Sequence, residues 1–192
     1  MNQLRNILIC GVGGQGTLLA SRVLGAAMQS RGLDVKVSEV HGMSQRGGSV
    51  VTYVRCGEQV CSPIIEPGEA DLILAFEQLE AARWLPMLKP GGQMIVNTDC
   101  INPMPVITGA ADYPEGLLDA IRAKGITLLP VDALRLATEA GSPKAVNVVL
   151  IGAMAGLSDF PREVWEEAVA ATVPERFKQL NLDAFALGFA TV

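Results

Sequence analysis

Two short stretches hold most of the residue types in this chain that could do chemistry. The first is GVGGQGT, residues 11–17. It sets Gly11, Gly13 and Gly16 in the spacing G-x-G-x-x-G, with Gly14 adding backbone freedom and Gln15 and Thr17 supplying an amide and a hydroxyl. It follows an apolar run and opens a helical pattern. The backbone there must pass close to something at a helix N-terminus, where unpaired N–H groups and the helix dipole favour an anion. The second stretch is EVHGMSQRGG, residues 39–48. It gathers Glu39, His41 (the only histidine of the chain), Gly42, Met43, Ser44, Gln45, Arg46, Gly47 and Gly48. Arg46 offers a planar fork of donors suited to phosphate or carboxylate. Gly47 and Gly48 let a ligand or another chain approach the backbone, and His41 changes protonation near neutrality. The plainer alternatives are a structural hydrogen bond from His41 to a carboxylate and an Arg46–Glu39 salt bridge. Polar residues concentrated on loops of a rigid scaffold favour the ligand or interface reading.

The first stretch also completes, formally, the fingerprint of a dinucleotide site, because Glu39 ends the second expected strand where a ribose-binding acid would stand. The glycine-flanked polar cluster that follows Glu39 is no part of that fingerprint. An autonomous NAD- or FAD-binding module is therefore the alternative reading and not the first. Several chemistries lack their residues. The loop has no Walker lysine, and no Ser–His–Asp set with a nucleophile elbow occurs. Cys10, Cys56, Cys61 and Cys100 show no CxxC spacing, so a zinc or iron–sulfur site within this chain is not expected. Hard redox chemistry would have to come from elsewhere.

These stretches need elements to hold them. RNILICGVG reads as a buried strand, QGTLLASRVLGAAMQSRG as a helix stopped by Gly32, and DVKVSEV as a second strand, together a parallel βαβ unit. SVVTYVRCGEQVCSP alternates and reads as a β-hairpin turning at Cys56–Gly57, with Cys56 and Cys61 facing across it. ADLILAF is a strand, EQLEAARWLPMLKPGG a helix ended by Pro90-Gly91-Gly92, and QMIVNT a strand; EGLLDAIRAKG and ITLLPVD repeat the alternation. From Ala133 onward the pattern is helical, with a cap at Ser158 or Asp159. The expected fold is an α/β/α three-layer sandwich over residues 1–192. It has one domain, a mostly parallel Rossmann-like sheet, one hairpin and a helical final third. Both polar stretches then lie at the C-terminal ends of parallel strands, where open α/β sheets bind ligands. Asn147 either hydrogen-bonds the glycine loop or caps and packs. Gly152 and Gly156 mark close helix packing, and Trp84 and Trp165 are core or subunit contacts.

The chain has 192 residues, 49% hydrophobic and only 18% charged, with net charge −5. Such a low charged fraction points to a partner covering part of the apolar surface. No Lys/Arg stripe marks a nucleic-acid surface. No apolar run reaches membrane-spanning length, and the N-terminus lacks signal-peptide features. A soluble cytoplasmic protein is expected.

GVGGQGTLLASRVLG, SEVHGMSQRGGSVVTYVR, ADLILAFEQLEAAR, KPGG, NVVLIGA and NLDAFALGF follow one another along nearly the whole chain. In this order they resemble the gamma-type domain of the 2-oxoacid:ferredoxin oxidoreductases. The HGMSQRGG form is similar to that of the indolepyruvate branch, and the chain resembles the beta subunit of that branch. The resemblance implies a companion subunit with no cofactor of its own and no activity alone. A larger alpha subunit would carry thiamine diphosphate and iron–sulfur clusters and pass electrons to ferredoxin. The complex would convert an aryl pyruvate and coenzyme A to an acyl-CoA. A related oxidoreductase acting on pyruvate or another 2-oxo acid is the variant of this reading. The loops Gly11–Thr17 and Glu39–Gly48 would face the partner's active site and help hold coenzyme A, with Asn147 behind them. A plainer third reading is a domain that self-associates when isolated.

Overall fold

The computed structural model describes residues 5–42 and 47–192. The described residues form six strands: β1 (Asn6–Val12), β2 (Asp34–His41), β3 (Ser49–Gly57), β4 (Ala70–Ala75), β5 (Leu88–Asn97) and β6 (Thr127–Val131). The helices are α1 (Thr17–Ser30), α2 (Gln78–Trp84), α3 (Met104–Ile107), α4 (Leu117–Arg122), α5 (Ala133–Glu139), α6 (Val146–Gly156), α7 (Arg162–Thr172) and α8 (Lys178–Phe189). The strands make one sheet in the order β2-β3-β1-β4-β5-β6. β1, β4, β5 and β6 pair in parallel, while β3 runs antiparallel to both β1 and β2.

Alternation along the strands divides the core in two. Ile7, Ile9, Leu72, Leu74, Ile95 and Val131 point to one face, where α1, α5, α6, α7 and α8 cover them. Leu8, Cys10, Ile73, Ala75, Met94 and Val96 point to the other, which packs against residues of α2 and α4. Three layers result because a strand with apolar residues on both faces must be covered on both. The connection after β1 leads through α1 to β2 on one side of the sheet, and the connection after β4 leads through α2 to β5 on the opposite side. The crevice beyond β1 and β4 is therefore a topological switch point, and the glycine loop opens into it.

Several expectations are corrected. The hairpin does not turn at Cys56–Gly57. β3 runs unbroken to Gly57, residues 58–69 add no strand, and the antiparallel partner of β3 is β2, in register from Asp34↔Gly57 to His41↔Val50. The antiparallel pair thus exists one strand earlier, between β2 and β3. Cys56 is buried and Cys61 is exposed, so they do not face each other. β1 and β2 run in the same direction, but β3 lies between them, and the βαβ unit spans a strand instead of joining neighbours. Finally, Pro90, Gly91 and Gly92 do not end a helix. α2 stops at Trp84, a 3-10 turn follows over Leu85–Met87, and the three residues lie in β5, where the register shifts.

The helical final third follows the apolar periodicity. Gly32, at φ 77°, stops α1 as expected, and its N–H bonds the carbonyl of Gln29. The cap before α7 is neither Ser158 nor Asp159; Pro161 precedes the helix without a side-chain cap. Ser158 instead accepts the indole N–H of the fully buried Trp165 at 2.9 Å. α6 has nine buried residues in its eleven and is covered all round. Its tightest neighbour is α8, and here glycine is required. A Cβ on Gly152 would stand 2.2 Å from the Phe185 carbonyl oxygen, and one on Gly188 would stand 1.9 Å from that of Val149. The two backbones touch.

Gly152→Ala or Gly188→Ala should each cost about 3 kcal/mol in denaturant unfolding, because overpacking against backbone cannot relax by a rotamer change. Gly25→Ala in α1, where an added Cβ meets nothing within 4 Å, should instead stabilise by about 0.5–1 kcal/mol. An unchanged unfolding midpoint for Gly152→Ala would contradict the backbone contact.

Candidate functional site

The two sequence stretches meet at the end of β1. The N–H of Gly13 donates to the Gly48 carbonyl at 2.9 Å, and the N–H of Gly47 donates to the Gly13 carbonyl at 3.4 Å. This backbone pair extends the β1–β3 ladder past its last register pair, Val12↔Ser49, and so clasps one glycine loop to the other. Gly14 and Gly16, at φ 104° and 84°, turn the chain into α1. Only glycine adopts these angles without strain. Gly16 is needed twice over, since a Cβ there would lie 2.6 Å from Nδ2 of Asn147.

Asn147 bonds the glycine loop and is packed in the interior, but it is not the cap of α6. Its Nδ2 donates to the Gly16 carbonyl at 3.3 Å, and its Oδ1 accepts the Val148 N–H at 2.9 Å. The side chain is buried and supports the glycine loop from behind. Gln15 is equally committed to structure. Its Oε1 accepts the Val12 N–H at 2.7 Å, and its Nε2 donates to the Phe76 carbonyl at 2.9 Å. Gly11 makes room for it, because a Cβ there would lie 2.8 Å from both Gln15 Oε1 and Phe76 Cβ. Thr17 is the first, buried residue of α1. Of the loop residues, Gln15 thus joins the ends of β1 and β4, and Gly16 and Asn147 seat α1 against α6.

Glu39 does not stand where a ribose acid would. It pairs with Thr52, which in turn pairs with Ile9. It therefore lies level with the middle of β1 and two strand spacings away, roughly 9.5 Å. Its Oε2 accepts the Thr52 hydroxyl at 3.2 Å, and its Oε1 lies 3.8 Å from His41 Nδ1. His41 is half exposed, and at that separation the pair is not a hydrogen bond. Gly42 follows β2. Met43, Ser44, Gln45 and Arg46 lie outside the described residues.

The sequence reading missed the other wall of the crevice. Two carboxylates follow β4 directly, and both are buried. Glu77 caps α2 by accepting the Glu80 N–H at 2.9 Å; its other oxygen accepts the Ile101 N–H at 3.2 Å and the hydroxyl of Tyr113. Burial first, and this carboxylate second, push the Tyr113 hydroxyl far above its ordinary range, so it remains a donor. Glu80 accepts the Ser49 hydroxyl at 2.5 Å and the Trp84 indole N–H at 3.3 Å, and pairs with Arg83. Asn97, also buried, joins the end of β5 to the same edge by donating to the Phe76 carbonyl at 3.1 Å and accepting the Ala133 N–H at 3.2 Å. The signal that could have found these residues was the rule already applied to the glycine loop: polar groups just beyond a buried parallel strand stand at the binding edge. Between the walls lies a cleft of about 270 Å³, bordered by Val12, Gly47, Gly48, Glu77, Glu80 and Arg83.

The thiols fall into two classes. Cys10, on β1 beneath the cleft, is raised well above the ordinary thiol value, chiefly by burial and then by the charges of Glu80 and Glu77. Burial also pushes Cys56 up to about 11. Neither forms thiolate near neutrality, and neither is reachable.

Comparison with known proteins fits this geometry. Residues 6–191 match the family model described as pyruvate ferredoxin/flavodoxin oxidoreductase. The chain is 44% identical over 190 residues to the indolepyruvate oxidoreductase subunit IorB of Thermococcus kodakarensis, covering 95% of this chain and 93% of that one. Identity to the same-named subunit of Pyrococcus horikoshii is also 44%, over 191 residues, with 95% and 93% covered. Among solved structures, the gamma subunit of a keto/oxoacid ferredoxin oxidoreductase from Geobacter sulfurreducens superposes with a TM-score of 0.73 at 26% identity, covering 97% of each chain.

Gln15→Ala should lower stability by about 2 kcal/mol, because it strands a backbone N–H and removes one donor from the Phe76 carbonyl. Unchanged stability would mean that Gln15 does not hold the loop. In the native chain at mildly alkaline pH, a thiol reagent should label Cys61 and Cys100 quickly, with Cys10 and Cys56 labelled only on unfolding. Rapid labelling of all four would contradict the burial of β1 and β3.

Proposed function

The chain belongs to the pyruvate ferredoxin/flavodoxin oxidoreductase family, and from that premise we propose that it is the companion subunit of an indolepyruvate, or aryl-pyruvate, ferredoxin oxidoreductase. The complex takes an aryl 2-oxo acid and coenzyme A. It releases carbon dioxide, forms the aryl-acetyl thioester, and passes the two electrons to ferredoxin. The names of the closely similar subunits support the substrate class. The observation that carries the site assignment is the clasp between Gly13 and Gly47–Gly48, which brings both glycine loops to one crevice at the sheet's ligand-binding edge.

Thiamine diphosphate and the iron–sulfur clusters are assigned to a larger partner subunit. Cys10 and Cys56 are buried in β1 and β3, Cys61 and Cys100 are exposed in the connections after β3 and β5, and this scatter offers no cluster-binding set. When bound on the partner, thiamine diphosphate supplies the carbanion chemistry of decarboxylation and the clusters carry the electrons. This chain's own contribution is to bind and orient. The start of α1, with no acidic residue in its first turn, and the guanidinium of Arg46 suit the phosphates of coenzyme A. The buried supports Gln15 and Asn147 hold the loop in the shape that presents those donors. Pre-organisation of this kind lowers the ordering cost of binding.

The autonomous nucleotide-module reading loses its acid, since Glu39 is bonded to Thr52 on the edge strand β2, with β3 between it and β1.

Co-expression of the tagged chain with its genomic neighbours should bring down a large thiamine- and cluster-bearing protein. The complex should prefer aryl pyruvates over pyruvate and 2-oxoglutarate in kcat/KM. Arg46→Ala should raise the KM for coenzyme A about tenfold, the loss of one charge-assisted contact. A chain that purifies alone, retains a nucleotide and loses it on Glu39→Ala would overturn the assignment.

A further inference from the structure

We propose that Glu80 is a positioning residue for the second glycine loop, acting through Ser49 to fix where that loop leaves the sheet and thereby setting the affinity of the cleft for the anionic substrate. The inference rests on the functional reading above, in which that substrate is coenzyme A.

Glu80 is only 3% exposed. A carboxylate taken from water is costly unless it is paired and hydrogen-bonded. Arg83 and Trp84, on or beside the same helical turn, supply two of its partners. The third comes from across the fold. Ser49 is the first residue of β3, directly after Gly47 and Gly48, and its hydroxyl donates to Glu80 Oε2 at 2.5 Å. A hydroxyl-to-carboxylate bond of this length belongs to the strong, charge-assisted class. Among the described residues, the loop is also anchored by two backbone bonds to Gly13, one of them near the limit at 3.4 Å. Ser49 pairs with Val12, the last residue of β1. One carboxylate on α2 therefore holds the point where both glycine loops diverge. Gly48, Ser49 and Glu80 all border the cleft, so the bond from Ser49 to Glu80 joins its two walls. The arrangement is a tripod: β1 through backbone, β4 through Gln15, and α2 through Glu80.

A loop released from one such anchor samples more conformations, and the apparent affinity falls by the fraction still competent to bind. The test uses the assembled complex. Ser49→Ala should raise the KM for coenzyme A about fivefold to tenfold while kcat stays within about twofold, the expected size for one charge-assisted bond spread over a loop. Ser49→Thr keeps the hydroxyl and should restore the wild-type KM. Hydrogen exchange on the full chain should show faster exchange in a peptide spanning Gly47–Val50 for Ser49→Ala and not for Ser49→Thr, with the unfolding midpoint little changed. If the KM for the 2-oxo acid rises instead, the anionic group held here is its carboxylate, and the positioning role stands with that ligand. If Ser49→Ala leaves both KM values unchanged while Arg46→Ala raises that for coenzyme A, Glu80 does not position the loop and the functional reading survives. If neither variant changes any KM, both readings are overturned. Equal losses of stability and kcat in Ser49→Ala and Ser49→Thr would reduce the bond to packing and overturn the inference.

Discussion

The carbonyl oxygen of Phe76 accepts two side-chain amides, Gln15 from the loop after β1 and Asn97 from the end of β5. It ends the apolar strand β4, where no further ladder partner is available, and a buried carbonyl left unpaired is costly. By taking both amides it ties three parallel strand ends into one rim. The glycine loop is then no free connection but a segment fixed at both ends: Gln15 pulls it toward β4, and Asn147 supports it from α6. The small residues of the loop follow from this constraint. Gly11 leaves space for the Gln15 amide and Gly16 for the Asn147 amide, so the glycines serve the protein's own side chains as well as whatever ligand approaches.

The same rim carries an unusual concentration of buried charge. Glu77 and Glu80 stand behind the cleft, and each of their oxygens has a donor. Their effect reaches the thiol of Cys10, which burial and these two charges keep protonated. A fully satisfied polar network of this kind is rigid, because any shift breaks several bonds in a low-dielectric setting. The wall facing the glycine loops is therefore stiff, and it is suited to presenting a loop to a partner without rearrangement.

Sequence periodicity gave most of the elements and little of their arrangement. β1, α1, β2 and β4 were legible because alternation and helical spacing are local signals. The helical final third was legible for the same reason, and Gly152 was recognisable as a packing glycine. The insertion of β3 between β1 and β2 was not legible, since strand order is set by which edges pair across the fold. The misplaced hairpin followed from that: GEQV continues the alternation of β3, yet no second strand pairs there. Gly11–Thr17, Gly47, Gly48 and Asn147 could be placed at the candidate site by motif and position, whereas Glu39 could not. Glu77 and Glu80 could not, because acids in the first turn of a helix usually cap it and face water. Only the fold reveals that β3 and Tyr113 cover them.

The backbone contact between α6 and α8 has a consequence for how the molecule comes into being. Chains emerge from the ribosome in order, and domains gain their packing in that order too. α6 is apolar on every side, and the helix lying against its glycine arrives only after α7 has also been made. Until then a strongly apolar segment stands without its cover, and Asn147 at its head has no firm base from which to hold Gly16. Most of the rim is written in the first hundred residues, yet it takes its final form among the last events of synthesis. The nascent subunit thus passes through an interval in which its sheet is complete and its crevice is not, and its exposed helix is then the part most in need of a chaperone.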